Sequence, residues 1–100
     1  MGILIKIHES YRKIVAVSDS NLLGKHFTDG KLQLDLKESF YGGQECNEEK
    51  AIEIMKSNAF DDATFNIVGK ESINAALKVG LIEKSGIIKI KGIPHAMSLI

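Results

Sequence analysis

The chain has 100 residues, of which 44% are apolar and 26% charged, and this is the composition of an ordinary globular domain. Its 13 basic and 13 acidic side chains cancel, which argues against a strong binder of nucleic acids or of membranes, and no DNA partner is expected. No apolar run approaches the ~20 residues of a membrane span, and the alternating start with a charge at Lys6 does not predict a signal peptide. Since a single cysteine, Cys46, cannot form an internal disulfide, we expect a cytoplasmic protein.

The first third of the chain predicts short strands. Apolar residues alternate over 3–7, and a second β-branched run covers 14–17, so the short connection between them favours an antiparallel hairpin. Residues 18–24 predict one helical turn or a tight loop. Over 31–36 leucines alternate strictly with polar residues, which predicts a third strand with Leu32, Leu34 and Leu36 inward and one face of the sheet open.

The rest of the chain predicts two helices and two further strands. Asn47 is a fair N-cap with glutamates behind it, and Gly80 follows the second apolar stripe as a C-terminal stop. The predicted elements are a loop over 38–46, a helix near 48–59, a strand over 64–68, a helix near 70–79 and a last strand over 87–91, which Gly92-Ile93-Pro94 breaks.

This order of elements predicts the α+β class. We expect a two-layer sandwich, with a mixed, mostly antiparallel sheet of about five strands and two main helices on one face, filling residues 1–100 as one domain. If the fourth and last strands are parallel, the second helix is their right-handed crossover. The residues predicted to be buried are Ile5, Val15, Leu32, Leu34, Leu36, Ile52, Met55, Ile73 and Leu77.

Four short blocks, taken in order, resemble a known family. They are Val15-Ala16-Val17-Ser18-Asp19 with Leu22-Leu23-Gly24-Lys25, then Glu38-Ser39-Phe40-Tyr41-Gly42-Gly43, then Asn66-Ile67-Val68-Gly69, and Gly92-Ile93-Pro94-His95-Ala96. Together they resemble the small archaeal family catalogued as domain of unknown function 424. The resemblance implies a single-domain cytoplasmic archaeal protein with an α+β two-layer fold, no established activity, and a link to RNA or translation. The family usually has glutamine after Pro-His-Ala, where this chain has Met97.

His95 is the first candidate for a ligand-binding residue. Pro94 fixes its own φ and keeps Ile93 extended, which would present His95 in a set direction at the end of a strand. There it could bind a ligand, move a proton or hold a backbone carbonyl. The alternative is a partly buried histidine that ties down the C-terminal segment, since no nucleophile lies at a diagnostic spacing.

The Glu38–Gly43 segment is the second candidate. Its glycines permit a sharp bend, and Tyr41 could stack on a base or offer its hydroxyl, while Phe40 is expected to fill the core. Glu38 is a candidate carboxylate without a named partner. We expect this segment and Gly92–Ala96 to be neighbours in space.

Asp19 and Lys25 complete the set of binding candidates. Asp19 could cap the turn that follows it, and Lys25 could meet a phosphate. Gly69-Lys70 does not form a P-loop, because Thr64 stands where that motif has its first glycine. Neither a cofactor nor a metal site is predicted, since the three histidines and Cys46 lack ligand spacing.

Three functions remain open at this level. The first is a module that binds RNA or a translation-related protein, which is favoured over catalysis because no catalytic constellation is visible. The second is a small enzyme with His95, Tyr41 and Glu38 in one pocket, and the third is a structural subunit that covers its open sheet face by forming a homodimer. The lysines that support the first function are Lys25, Lys31, Lys84, Lys89 and Lys91, of which Lys89 and Lys91 are expected to share a strand face.

Overall fold

The structure, a computed structural model, describes residues 2–98. Its strands are β1 (Ile3–His8), β2 (Ile14–Asp19), β3 (His26–Asp29), β4 (Leu32–Asp35), β5 (Gln44–Cys46), β6 (Thr64–Val68), β7 (Ile88–Ile90) and β8 (Ile93–Ser98). Its helices are α1 (Glu38–Tyr41), α2 (Glu48–Phe60) and α3 (Lys70–Val79), with 3₁₀ turns at Ser20–Leu22 and Lys84–Gly86. The expectation of one domain over 1–100 also includes Met1, Leu99 and Ile100, which lie outside the described residues.

A six-stranded sheet with the order β5-β1-β2-β6-β8-β7 forms the centre, and β3 and β4 form a separate two-stranded sheet. Every pair in the large sheet is antiparallel except β2 with β6. The predicted α+β class and the mostly antiparallel sheet are therefore confirmed, with one central strand more than expected. The predicted fourth strand, β6, and the predicted last strand, β7, run in the same direction, because each is antiparallel to β8, which lies between them, and α3 lies in the connection from one to the other.

The start of α2 and the end of α3 lie where their capping residues predict. The Asn47 side chain accepts a hydrogen bond from the Lys50 backbone N–H at 2.8 Å, which starts α2. Gly80 ends α3 at a φ of +85°, in the left-handed region. The two helices pack on one face of the large sheet, here called the helix face, and bury Ala51, Met55, Ile73, Ala75 and Ala76 against Ile3, Ile5, Val15, Val17, Phe65 and Ile67.

The opposite face, here called the second face, is partly covered rather than open. The β3–β4 hairpin and α1 bury a second apolar cluster, whose members are Ala16, Leu22, Leu34, Leu36, Tyr41, Val68 and Ile90. Leu34 and Leu36 are buried in it as predicted, but Leu32 is 47% exposed. The prediction for Leu32 is wrong because it pairs with Asp29 beside the hairpin turn, at the end of the small sheet.

The other predicted core residues lie on the helix face. Ile5, Val15, Met55 and Ile73 are buried, and Ile52 and Leu77 are partly buried against the same cluster. The core prediction is therefore confirmed at six of nine residues, holds in part at Ile52 and Leu77, and is wrong at Leu32.

The predicted last strand continues into a hairpin. Lys91 and Gly92 both have positive φ, of 53° and 78°, and form a two-residue turn between the paired residues Ile90 and Ile93. The chain then returns as β8, so the segment read as a break is itself a strand that pairs on both sides. Pro94 has no N–H to donate to the neighbouring strand, where it would face the Gly69 carbonyl. That carbonyl already accepts a hydrogen bond from the Ile73 N–H at 2.9 Å, so proline is tolerated at this position.

Two leucines of one strand provide a test of the second-face core. Leu34→Ala should lower the free energy of unfolding by roughly 2–5 kcal/mol, because it removes a buried side chain and leaves a cavity. Leu32→Ala, at the exposed position of β4, should lower it by less than about 1 kcal/mol. Urea unfolding of both variants measures the difference, and similar losses in the two would contradict the packing of the hairpin on the second face.

Candidate functional site

Asp19 lies at the end of β2 and is 6% exposed. Its carboxylate accepts from the Glu71 N–H at 3.2 Å, the Ser72 N–H at 2.8 Å and the Ser72 hydroxyl at 2.7 Å. The expected cap on the following turn is absent, since the Asp19 side chain makes no cap bond to the 3₁₀ turn. Asp19 thus caps a distant helix, α3, and fixes the start of that helix to the end of β2.

Gly69 is required by this arrangement. It adopts a φ of +105°, and a Cβ at this position would lie 2.4 Å from the Asp19 Cγ atom. Any larger residue would collide with the buried carboxylate. The Gly69-Lys70 pair therefore has a structural explanation, and the first N–H groups of α3 bind an aspartate rather than a free anion.

His95 lies within β8, on the second face, between Val68 of β6 and Ile88 of β7. Neither ring nitrogen has a hydrogen-bond partner among the residues that the structure describes. Burial lowers the pKa of His95 below the usual 6.5, because desolvation disfavours the imidazolium. The expected loop position is wrong, but the side chain is held in a fixed direction by two neighbouring strands.

Tyr41, rather than Phe40, fills the core. Tyr41 is buried in the second-face cluster, and burial raises its pKa to about 12. Phe40 is only partly buried and stacks on His8 with ring centroids 4.7 Å apart, while His8 Nε2 donates to the Phe40 carbonyl at 2.9 Å. The Tyr41 ring is therefore packed in the core and presents no open face to a base.

The remaining candidates lie apart on the surface. Glu38 is exposed at the start of α1, and Lys25 is exposed just before β3. Tyr41 and Ile93, from the Glu38–Gly43 and Gly92–Ala96 segments, pack at the same second-face cluster, beside the strand that carries His95. No hydrogen bond joins Tyr41, His95 or Glu38 within 2–98, so a shared ligand of these segments stays a prediction.

A cleft with a volume of about 430 Å³ lies between α3 and β7. It forms because α3 packs on β2, β6 and β8, while β7 extends the sheet beyond the helix layer. Ile73, Leu77, Ile87 and Pro94 give it apolar walls. Lys70 of α3, Lys84 of the second 3₁₀ turn and Lys89 of β7 also line it.

These three lysines carry uncompensated charge. Among residues 2–98, Lys13, Lys50 and Lys78 lie within 4 Å of a carboxylate, whereas Lys70, Lys84 and Lys89, like the six remaining lysines, form no ion pair. Three ammonium groups around apolar walls suit a ligand that combines an anion, such as a phosphate, with an apolar or planar body.

Two of the cleft lysines, Lys84 and Lys89, are among those that support RNA binding in the sequence. The expectation that Lys89 and Lys91 share a strand face is wrong, because Lys91 lies in the turn after β7. The sequence points to Lys70 only through the Gly69-Lys70 pair, which does not form a P-loop. Only the packing of α3 beside an overhanging strand brings these segments together.

Other kinds of site have little support in the described part of the chain. A smaller cavity of about 190 Å³ beside His95 is lined by Gly86, Ile88, Ala96 and Met97 and holds no charged side chain besides the histidine. No group of three metal-ligating side chains occurs within 2–98. Cys46 packs against the helix-face cluster, and burial raises the pKa of its thiol. No helix in this range is long and apolar enough to cross a bilayer.

Fold and cleft together define a small α+β domain with a basic cleft at one edge of its sheet. The chain belongs to the family described as Protein of unknown function (DUF424), whose sequence pattern matches residues 7–99, as the resemblance predicted.

One solved structure, titled an uncharacterized conserved protein from Methanopyrus kandleri, has the same fold. Its TM-score is 0.90 at 22% sequence identity, over 100% of this chain and 92% of that one. A search of curated proteins gave no match. These comparisons establish the family and the fold.

The Asp19 cap predicts a large loss of stability when the carboxylate is removed. Asp19→Ala should lower the free energy of unfolding by about 2–4 kcal/mol, because buried donors of Glu71 and Ser72 lose their acceptor. Asp35→Ala, an exposed carboxylate, is the control and should cost less than about 1 kcal/mol.

A double-mutant cycle with Ser72→Ala tests the bond itself. The two losses should be non-additive, since both changes remove the same hydrogen bond between side chains. A loss under about 1 kcal/mol for Asp19→Ala would show that α3 is held by other contacts.

The lowered pKa of His95 predicts a pH dependence of stability. In the folded state this pKa lies below its unfolded value, so the unfolded chain binds more protons in mild acid. The contribution is complete above about pH 6.5 and is lost as the pH falls from there through the folded pKa.

Urea unfolding at about pH 7.5 and pH 5.5 measures this effect. His95→Gln should lose less stability than the wild type across this range, whereas His26→Gln, at an exposed position, should keep the wild-type loss. An NMR titration that places the pKa of His95 at or above 6.5 would contradict the prediction.

Proposed function

We propose that this protein is a non-catalytic binding module whose partner is RNA. The observation that carries the proposal is the cleft between α3 and β7, where Lys70, Lys84 and Lys89 converge from three segments without an ion pair in the described chain. Phosphate contacts from lysines supply most of the affinity of a non-specific nucleic-acid binder. The cleft therefore supplies the electrostatic part of an RNA site.

The apolar walls support a ligand larger than a bare phosphate. Ile73 and Leu77 of α3 face Ile87 and Pro94 across the cleft. Its volume lies within the range of pockets that hold small organic ligands. A nucleotide offers the matching surfaces, since its phosphate is anionic and its sugar and base present flat, weakly polar faces.

The zero net charge is compatible with this proposal because the charges are separated. Carboxylates of α2 and of the turn after it pair with lysines that do not line the cleft, in the pairs Lys50–Glu53, Lys78–Glu48 and Lys13–Asp61. The lysines of the cleft form no such pair within the described chain. Local charge, rather than the total, attracts a polyanion at short range, because salt screens interactions beyond about 10 Å.

The alternative functions have weaker support. A pocket formed by His95, Tyr41 and Glu38 would need the Tyr41 side chain to leave the core, where it is 6% exposed. A homodimer through the second face stays a prediction, and the hairpin and α1 already cover part of that face.

Titration of a fluorescent single-stranded RNA at several salt concentrations tests the proposal. If three phosphates are contacted, affinity should fall about 20-fold between about 50 and 200 mM salt. Lys84→Ala and Lys89→Ala should each lower the slope of log affinity against log salt by about 0.7.

Lys56→Ala is the matched control, because Lys56 is exposed on α2 and does not line the cleft. Binding that does not depend on salt, or equal losses in Lys56→Ala and Lys84→Ala, would contradict an RNA site in the cleft.

A further inference from the structure

The turn of the β3–β4 hairpin lies directly against the turn of the β7–β8 hairpin. The Lys91 backbone N–H donates to the Asp29 carboxylate at 3.1 Å, and both β3 and β4 contact β7. Asp29 pairs with Leu32, so Gly30 and Lys31 form the first turn. This contact brings Lys31 and Lys91, which are 60 residues apart in the chain, to one end of the β7 edge.

Lys91 occupies a backbone conformation that lysine rarely adopts. Its φ is +53°, whereas hairpin turns of this kind usually take asparagine, aspartate or glycine at such a position. The bond from its N–H to Asp29 stabilises this conformation, and the Asp29 carboxylate keeps its negative charge beside the turn. A cation stands here at a position where local backbone preference favours other residues.

Lys31 and Lys91 lie at the end of the β7 edge, where Gly92 of the second turn also lines the cleft. Lys89 lies two residues before Lys91, about 7 Å away along the chain, and Lys84 and Lys70 line the cleft beyond it. None of the five forms an ion pair within the described range. We call this surface the basic strip, and its members are Lys31, Lys91, Lys89, Lys84 and Lys70.

We propose that the basic strip binds a single-stranded RNA segment that enters the cleft and continues over the two joined hairpin turns. This inference rests on the proposed function and adds the length and course of the ligand. A mononucleotide fills the cleft but does not reach Lys31 and Lys91, which contribute only if further phosphates follow. A duplex is a convex rod whose bases stay stacked inside, so it cannot place a sugar and base against the walls of the cleft.

Lys25 marks where the strip ends. It stands at the other end of β3, about 15 Å from the Gly30–Lys31 turn, and its backbone is hydrogen-bonded to Leu22 and Leu36 at the base of the hairpin. Of the five lysines that support RNA binding in the sequence, four therefore lie on one edge and Lys25 does not. It provides a control on the same hairpin.

The test compares ligands of different length on matched variants. The double variant Lys31→Gln with Lys91→Asn removes both turn charges, and asparagine tolerates the left-handed φ of position 91. The ligands are uridine 5′-monophosphate, a single-stranded uridylate decamer and a duplex RNA of the same length. Lys25→Gln is the control, and thermal unfolding confirms that each variant is folded.

We expect the wild type to bind the decamer more tightly than the monophosphate. The double variant should lower the salt slope for the decamer by about 1.4, corresponding to two lost phosphate contacts, and leave the affinity for the monophosphate unchanged. Lys25→Gln should behave as the wild type with both ligands.

Different results would contradict the RNA site in the cleft and the longer basic strip. One result would contradict the basic strip alone: the wild type and the double variant bind the decamer equally, and this binding depends on salt and on Lys84 and Lys89. The RNA site in the cleft would then stand, but the RNA would not continue over the hairpin turns. Tighter binding of the duplex than of the decamer would also contradict the basic strip. Absence of binding to all three ligands would overturn both proposals.

Discussion

The buried carboxylate of Asp19 is the interaction on which the arrangement of the fold depends. It joins the end of β2 to the first turn of α3 by three hydrogen bonds, and it leaves room only for glycine at position 69. Gly69 in turn donates to the Pro94 carbonyl and accepts from Ile73. Two parallel strands, an antiparallel neighbour and a helix thus meet at one point, and each is oriented by the others.

This junction also determines where an anion can bind. Because Asp19 takes the free N–H groups at the start of α3, the positive end of that helix is neutralised within the protein. Because α3 packs on β2, β6 and β8, β7 extends beyond the helix layer, and the cleft lies between α3 and β7. Attraction for an anion then comes from lysine side chains at the rim, which makes it dependent on salt and tolerant of sequence.

The sequence predicts those parts of the structure that local chemistry determines. Helices α2 and α3 follow from Asn47, Gly80 and their apolar stripes, and the α+β class follows from the order of elements. Strand β8 could not be predicted, because a proline there is acceptable only through the distant Gly69 carbonyl, and the turn before it uses Lys-Gly instead of the usual Asn-Gly. The Asp19 cap likewise joins residues 53 positions apart, and the cleft depends on how α3 packs beside β7.

The net charge does not indicate which surfaces of this protein are basic. A total of zero argues against a nucleic-acid partner only if the charges are mixed evenly over the surface. Here the carboxylates of α2 and its flanking residues pair with nearby lysines, and one carboxylate at the β7 edge, Asp29, is bonded to a backbone N–H. The lysines of that edge form no ion pair within the described chain, although the Asp29 carboxylate keeps its charge beside the turn. A protein with zero net charge can in this way present a basic strip on its surface. The zero net charge limits the long-range attraction of a polyanion, whereas contacts at short range stay strong.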